Sequence, residues 1–486
     1  MHSPPHFGPC HPVAGKDFVV PTLVAACMLG MPGLAVSDEP ANGGGGRSAA
    51  TELQATTEAA VRTVCPQLAQ REERTAPQDD LFSRCREMVQ TRNALEGEGP
   101  SAFDLDLDEA ALNAAFQQIA AEETVAPGTM VTEFSGIQAA AVLGRLGALQ
   151  ATGVGLADAG GQGRDDMPVL LASTNDTLTM GLASGGSQFD GGWSRLGAFA
   201  NATFGFGDRD ATQRENGFDF DTVGLTAGAD YRLSTELVLG GALGYTRLNA
   251  DFQESAEVAG GKVEGDSWSL LGYALYNVGD FYAHGLLGYS RTDFDIERRI
   301  DYEPGPNAGP QVEGADRTAR ADPDGRQFQV SAGFGYELRR NAWSLSPGVR
   351  VEILRARIDG YRERGAEGLD MAVQRQTVES ATTALGAELA YTSGQPFGVL
   401  IPQARAEWVH EFSNHARRIE TRYANHPEGT VLAVRTDDPD RNYLRLGASV
   451  SAVFRGGTQA FIDYETLQLL NDVESHQFTA GIRLEF

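Results

Sequence analysis

Long hydrophobic runs are missing from most of this sequence. After the first 40 residues there is no stretch of about 18 uninterrupted apolar residues, which argues against membrane-spanning helices. Basic residues are also few, with 39 Lys and Arg against 66 Asp and Glu, and the formal net charge is −27. Nucleic acid and anionic membrane surfaces both select proteins with a basic face, so neither is an expected partner. The length of 486 residues predicts two or more structural parts.

Cysteine is scarce too, and two of the four cysteines lie in a predicted leader. Lys16 precedes the apolar stretch FVVPTLVAACMLGMPGLAVS, and the small residues 35–37 (AVS) offer a cleavage site. Residues 1–37 are therefore predicted to be a signal peptide. The sequence VAAC, ending at Cys27, loosely resembles a lipoprotein processing site. The apolar run continues past Cys27, which favours simple cleavage near residue 37.

The other two cysteines are predicted to form a disulfide. Removal of the leader takes away Cys10 and Cys27 and leaves the pair Cys65 and Cys85 in an exported, oxidising environment. A metal site needs more ligands, and no histidine occurs between residues 38 and 150. Asp104, Asp106 and Asp108 are spaced like a calcium loop. Glu109 and Ala115 stand where that loop requires Gly and Glu, so we expect neither a metal nor a cofactor.

The first part of the mature chain has the texture of helices. Residues 38–50 are a linker by composition, and residues 51–130 carry apolar side chains at three- and four-residue steps. The pair Glu122–Glu123 is interpreted as a solvated helix face. Residues 131–153 predict a further helix, rich in small residues and almost free of charge, before a stretch of Gly, Asp and Ser up to residue 192. We therefore divide this part into a helical region, 38–130, and a linker, 131–192.

From Trp193 onward the sequence alternates between apolar and polar residues with a period of two. Twelve such segments begin near residues 193, 217, 235, 265, 280, 325, 342, 373, 396, 440, 457 and 474. Tight turns such as 233–234 and 279–280 alternate with long polar connections such as 301–324 and 413–440. An even strand number and unequal connections are typical of outer-membrane barrels. The predicted fold is mainly β: a 12-stranded antiparallel transmembrane β-barrel over 193–486, preceded by a small α-helical region and a pore-threading segment.

A soluble β-sandwich also alternates, but its polar face should look like a protein surface. Here that face is rich in glycine and carries charges of both signs. Trp193, Trp268, Trp343 and Trp408 stand near strand ends, as in interfacial girdles. The barrel is therefore favoured, and the residues predicted to line its lumen are Arg195, Arg350, Glu352, Arg405, Glu407, Arg445, Asp463 and Arg483.

Three stretches carry a family resemblance. IPQARAEWVHEF, residues 401–412, is similar to a strand of the translocator domain of type Va (monomeric) autotransporters. TAGIRLEF, residues 479–486, looks like the outer-membrane assembly signal, with Gly481, Leu484 and Phe486 as its marks. The small-residue helix before the first strand is the third feature. The resemblance covers about 190–486 and adds 131–190 as a plausible part.

The resemblance implies a location and a role. The outer-membrane assembly machinery would insert a single barrel among the lipids of a Gram-negative outer membrane, and residues 131–192 would thread its pore. Gly197, Gly224 and Gly244, with Gly240, Gly333 and Gly447, would make room inside. Residues 38–130 are short for a passenger, and they are either exported or kept in the periplasm. The alternative function is a pore or structural barrel with a periplasmic helical domain.

No catalytic site is predicted. Some relatives carry lipolytic passengers with a Gly-Asp-Ser-Leu motif, and residues 265–268 here read GDSW. These residues open a predicted barrel strand, so a hairpin end explains them better. No Gly-x-Ser-x-Gly elbow occurs, and the helical region has no histidine to act as a base. We therefore expect this protein not to be an enzyme.

Overall fold

A computed structural model describes residues 50–99, 101–154, 195–254, 259–413, 415–426, 428–429, 431–454 and 457–485. The predicted signal peptide, most of the linker, Trp193 and Phe486 lie outside these ranges. The helices are α1 (Glu52–Ala69), α2 (Ala76–Asn93), α3 (Glu109–Gln118) and α4 (Ala126–Val154), with short π and 3-10 turns at Ala94–Glu98, Glu122–Thr124 and Glu367–Leu369. None of the helices in these ranges is long and apolar enough to cross a bilayer.

Nineteen strands are found in the described residues. They are β1 (Leu196–Arg209), β2 (Phe218–Arg232), β3 (Leu237–Phe252), β4 (Lys262–Val278), β5 (Phe281–Tyr302), β6 (Ala315–Ala321), β7 (Asp324–Tyr336), β8 (Leu338–Arg340), β9 (Trp343–Ile358), β10 (Tyr361–Arg362), β11 (Met371–Val373), β12 (Gln376–Tyr391), β13 (Ser393–Gln395), β14 (Gly398–Glu411), β15 (Arg418–Tyr423), β16 (Leu432–Arg435), β17 (Asn442–Phe454), β18 (Thr458–Gln468) and β19 (Val473–Glu485).

Twelve long strands close into a barrel. β1, β2, β3, β4, β5, β7, β9, β12, β14, β17, β18 and β19 each pair antiparallel with the next, and β19 returns to pair with β1. Closure leaves no strand edge with unpaired backbone groups, which a bilayer requires. The predicted twelve-stranded barrel is confirmed. Each predicted segment starts within three residues of the first residue of the corresponding barrel strand.

The barrel wall has its apolar face outside. Phe204, Leu225 and Phe334 are 50%, 56% and 65% exposed, whereas the alternating positions Thr203 and Thr226 are buried. A water-soluble sandwich has the opposite arrangement, because its apolar face forms the core. Trp268, Trp343 and Trp408 are also exposed on the outside, as expected of residues at a membrane interface.

The helical region packs against the rim that carries the long connections. β6 pairs antiparallel with residues 296–302 of β5, and β10, β11, β15 and β16 form a separate small sheet at this rim. Leu68, Leu81 and Met88 of α1 and α2 share one core with residues of the rim, such as Tyr302 and Met371. The predicted disulfide between Cys65 and Cys85 is present and joins α1 to α2.

The interpretation of Glu122 and Glu123 as a solvated face is wrong. Both residues are buried, with 5% and 6% exposure, because the turn that holds them is enclosed between α3, α4 and the rim. Burial raises the pKa of Glu123 to about 7, although the charge of Arg298 opposes this shift. Burial and the neighbouring Glu123 raise the pKa of Glu122 well above its usual value.

We expect the helical region to be more stable at pH 5 than at pH 8. A carboxyl group whose pKa is raised by folding binds more protons in the folded state. Its contribution is therefore fully present below its unfolded pKa of about 4.3 and is lost as pH rises through about 7. Replacing Glu123 with Gln should remove much of this dependence and increase stability at pH 8 by about 1–3 kcal/mol. Thermal unfolding of the purified protein at both pH values tests this, and an identical pH slope for wild type and Glu123→Gln would contradict it.

Candidate functional site in the barrel lumen

Helix α4 lies inside the barrel and runs from the long-loop rim to the short-turn rim. Met130 and Phe134, in the first turns of α4, pack with Phe294 and other residues at the strand ends near the long-loop rim. Leu146 and Leu149, near its end, pack with Phe199 at the start of β1. Residues that recur at three- and four-residue steps thus place one face of α4 against the wall formed by β1–β5.

Glycines in the wall allow α4 to approach closely. An added Cβ at Gly244 would collide with the Gln138 amide, and one at Gly197 would collide with Arg145. At Gly224 the added atom would lie 3.0 Å from Ile137. At the other three predicted glycines, Gly240, Gly333 and Gly447, an added Cβ would instead collide with barrel side chains, namely Tyr273, His284 and Arg405.

Polar contacts fix the depth of α4 in the lumen. The Gln138 amide donates to Thr246 Oγ1 at 2.6 Å and accepts from Thr226 Oγ1 at 3.0 Å. Two backbone carbonyls of α4 accept from the wall: Asn201 Nδ2 donates to Ala141 at 3.2 Å, and Arg483 Nη2 donates to Gly144 at 2.7 Å.

Arg145 makes the strongest of these contacts. Its side chain is fully buried, and its Nε and Nη2 atoms donate to the two carboxylate oxygens of Asp230 at 2.6 and 2.8 Å. A third donor, Nη1, reaches Glu485 at 2.8 Å, and Tyr273 Oη donates to Asp230 at 3.0 Å. A desolvated, bidentate pair of this kind holds one geometry, because loss of either partner leaves a buried charge. The ion pairs of Arg145 therefore join the half of α4 nearer the short-turn rim to β2 and β19.

The opposite face of α4 lines a cavity of about 600 Å³. Glu133, Gly136, Ala140 and Gly144 form the helix side of this cavity. Polar and charged residues of β9, β12, β14, β17, β18 and β19 form the barrel side. The helix therefore occupies one side of the lumen and leaves a polar space along the other.

Six of the predicted lumen residues form one ionic network in this cavity. Arg350 Nη2 lies 2.8 Å and Arg445 Nη1 3.3 Å from Glu407. Arg350 also pairs with Glu352 at 3.3 Å, and Arg405 pairs with Asp463 at 3.5 Å. Glu465 joins the two halves, since Arg405 lies 2.6 Å and Arg445 3.4 Å from it.

The two remaining predicted lumen residues lie apart from this network. Arg483 is buried under α4 and places its guanidinium over the Phe461 ring at 4.1 Å. Arg195 precedes β1 and is exposed, outside the ionic network. Sequence reasoning missed Phe199, an aromatic residue that points inward, and the cavity residues Glu133, Glu388 and Tyr443. Arg145 could have been found, since it is one of two charges in residues 131–153.

The predicted assembly signal and the serine motif fall on ordinary strand positions. Leu484 points outward from β19, Gly481 adjoins the Phe461 ring, and Phe486 lies outside the described residues. Ser267 of the GDSW stretch is buried within β4 and accepts a hydrogen bond from Thr292 at 3.0 Å, while Trp268 is exposed on the outer surface. The assembly role of the chain end stays a prediction.

Comparisons with known proteins agree with this geometry. Residues 198–465 match the family model described as the autotransporter β-domain, which is more than half of the chain. The esterase EstA of Pseudomonas aeruginosa is 25% identical over 228 residues, 45% of this chain and 32% of the esterase. Outer membrane protein A of Rickettsia rickettsii is 26% identical over 248 residues, 50% of this chain and 10% of that protein.

A comparison with solved structures gives a further match. The translocator domain of the autotransporter NalP from Neisseria meningitidis gives a TM-score of 0.47 at 17% identity, covering 60% of this chain and 89% of that one. The match spans about a third of the length of the esterase and a tenth of the rickettsial protein. What those proteins carry beyond the matched part is therefore a property of those proteins.

Proposed function

Since the chain belongs to the autotransporter family and its barrel lies in the outer membrane of a Gram-negative bacterium, we propose that it exports its own helical region and keeps it anchored at the cell surface. Of the helical region predicted at 38–130, the described part that precedes α4 is residues 50–99 and 101–125, with helices α1–α3. One observation carries the proposal: α4 occupies the lumen of the closed barrel, and its first residues meet the helical region at the long-loop rim. Residues 126–154 thus mark the route that the chain takes through the lumen of the barrel.

The direction of export follows from the two rims. Outer-membrane barrels have short periplasmic turns and longer extracellular loops. The connections at 233–236 and 279–280 are short, whereas 303–314 and 412–441 are long and lie beside the helical region. We therefore assign the helical region to the outside and the end of α4 to the periplasmic side. The division into a signal peptide, a helical region, a pore-threading segment and a barrel is part of this proposal.

Contacts at the rim favour anchoring over release. Arg84 of α2 pairs with Glu313 at 2.8 Å, and Asp80 accepts from Arg317 Nη2 at 2.8 Å. The buried Arg298 of β5 pairs with Glu363 and donates to the carbonyl of Gln118 at 3.0 Å. These contacts join α2 and the end of α3 to the long-loop rim of the barrel. A periplasmic helical domain, as the pore hypothesis requires, would lie at the opposite rim.

The name of the esterase relative raises the question of a catalytic passenger. Residues 50–125 contain no histidine, so a nucleophile–histidine pair cannot be built there. The serine of the GDSW stretch belongs to the barrel wall. We therefore propose a non-enzymatic helical region on a translocator barrel, with the outer-membrane assembly machinery as its partner during insertion.

An epitope inserted ahead of residue 50 tests export. In intact cells the tag should bind an added antibody, because everything before α4 is carried out. The matched control places the same tag after Ser234 in a short turn, where it should be reached only after the outer membrane is opened. A tag ahead of residue 50 that stays hidden in intact cells, while heat-dependent gel migration shows a folded barrel, would support the periplasmic alternative instead.

A further inference from the structure

We propose that a row of arginines on the outer surface of the barrel binds the phosphate groups of a phosphorylated glycolipid, lipid A, in the outer leaflet. The row consists of Arg291 on β5, Arg326 on β7 and Arg357 on β9. The strand register places Arg291 opposite Arg326 and Arg326 opposite Arg357. Because neighbouring strands lie about 4.8 Å apart, three guanidinium groups share one level of the wall. The proposal rests on the outer-membrane location and on the proposed assignment of the long-loop rim to the outside, and not on export of the helical region.

The row lies where the apolar outer surface ends. One outward position closer to the short-turn rim, β5 carries Tyr289 and β7 carries Phe328, which are 51% and 52% exposed. Beyond the row, the outward residues of β5 are Asp293, Asp295 and Glu297, which belong in water. Lipid phosphates lie at this boundary between hydrocarbon and water. The three arginines are therefore at the depth at which headgroup phosphates are found.

The protein neutralises the arginines only in part. Arg291 pairs with Asp324 at 3.3 Å and with Asp293 at 3.9 Å, and Arg326 pairs with Asp359 at 3.4 Å. The side chains of Arg291 and Arg326 stay 63% and 64% exposed. Arg357 has no ion pair among the residues that the structure describes. Like charges on directly opposite positions destabilise a sheet, and an anion between them removes that cost. Each guanidinium has five donors, so these few contacts leave several donors free for phosphate oxygens.

Phosphate fits this row better than other anions of the membrane. A planar guanidinium binds two phosphate oxygens at once, and a row of three spans about 10 Å, enough for more than one phosphate group. A fourth arginine, Arg355, lies opposite Phe328 and adjoins the row on the lipid side. The outer ends of β2 and β19 carry the acidic residues Asp219 and Glu474 in place of arginine. The proposed site is thus confined to β5, β7 and β9.

Binding of bisphosphorylated lipid A to the full-length protein in detergent tests the proposal, with native mass spectrometry as the readout. The triple variant Arg291→Gln, Arg326→Gln, Arg357→Gln should lose at least tenfold in affinity, since each basic residue at such an interface contributes about 1 kcal/mol. The matched control, Arg299→Gln, Arg320→Gln, Arg364→Gln, removes the same charge from the exposed rim and should bind like wild type. Equal binding by both triple variants would overturn the proposal.

Three further probes identify the ligand. Lipid A without phosphates should bind the wild type and the triple variant equally weakly. Tight binding of this lipid to the wild type would overturn the phosphate assignment. Inorganic phosphate or phosphatidylglycerol vesicles that compete as well as lipid A would overturn the glycolipid assignment. If the triple Gln variant does not fold, the Arg→Lys triple serves instead. It keeps the charge and should show weaker binding, because Lys cannot hold phosphate in two-point contact.

Discussion

Replacing Arg145 with methionine should release the end of α4 near the short-turn rim from the barrel wall and raise ion conductance through the lumen. The substitution removes a buried charge that holds both oxygens of Asp230 and leaves that carboxylate buried without its partner. Breaking one side of such a pair costs about 3–5 kcal/mol. Helix α4 would then leave its position for part of the time, and the side of the lumen that it occupies would be open to ions. Single-channel recordings in planar bilayers should show larger and more frequent openings than the wild type.

The partner substitution separates a lost pair from a lost helix. Asp230→Asn in the Arg145→Met background removes the orphaned carboxylate, so the double variant should recover part of the stability lost in Arg145→Met. Arg339→Gln, which removes an exposed arginine at the short-turn rim, is the matched control and should conduct like the wild type. Wild-type conductance in Arg145→Met would mean that the ion pair does not hold α4 in the lumen.

Loss of the disulfide is the second large effect. Changing both Cys65 and Cys85 to serine should destabilise α1 and α2 by about 3 kcal/mol, because the bond closes a loop with a sequence separation of 20 residues. The barrel closes through its own strand pairing and should be unaffected. Hydrogen exchange measured along the chain should therefore speed up over residues 52–93 and stay unchanged over β1–β5.

Reduction of the wild-type protein provides the matched condition. Dithiothreitol should reproduce the exchange pattern of the double serine variant and should not change the variant itself. Unchanged protection of α1 and α2 in both cases would show that the contacts with the rim, including Arg84 with Glu313 and Asp80 with Arg317, hold the helices without the disulfide.

Most of the barrel could be predicted because its pattern is local. Residues in a strand alternate between two faces, so twelve runs of period two are visible without knowing their partners. The direction of the faces was predictable as well. Glycine and charges such as Arg350 and Glu407 share one face, while Phe204 and Leu225 share the other, and only a membrane accepts that arrangement over twelve strands.

Features that depend on contacts distant in sequence could not be predicted. Glu122 and Glu123 are polar by sequence, but the turn that holds them is enclosed by elements up to about 250 residues away, such as Gln376, whose amide donates to the carbonyl of Thr124. Phe199 is an aromatic residue on the otherwise polar inner face of β1. It is enclosed by Tyr273 of β4 and Leu146 of α4, which are distant from it in sequence. The pairing of Arg145 with Asp230 joins a helix and a strand 85 residues apart. The start of α4 at Ala126, before the predicted 131, follows from Pro127, which favours the first turn of a helix.

The account depends most on the orientation of the helical region and barrel, and cysteine labelling of intact cells measures it directly. Glu72→Cys lies in the turn between α1 and α2, and Thr235→Cys lies in a short barrel turn. Cys10 and Cys27 leave with the predicted signal peptide, and the disulfide leaves Cys65 and Cys85 without free thiols. A membrane-impermeant maleimide then reports only the new cysteine. The account predicts that Glu72→Cys is labelled in intact cells and that Thr235→Cys is labelled only after the outer membrane is opened. Labelling in the reverse order would contradict it.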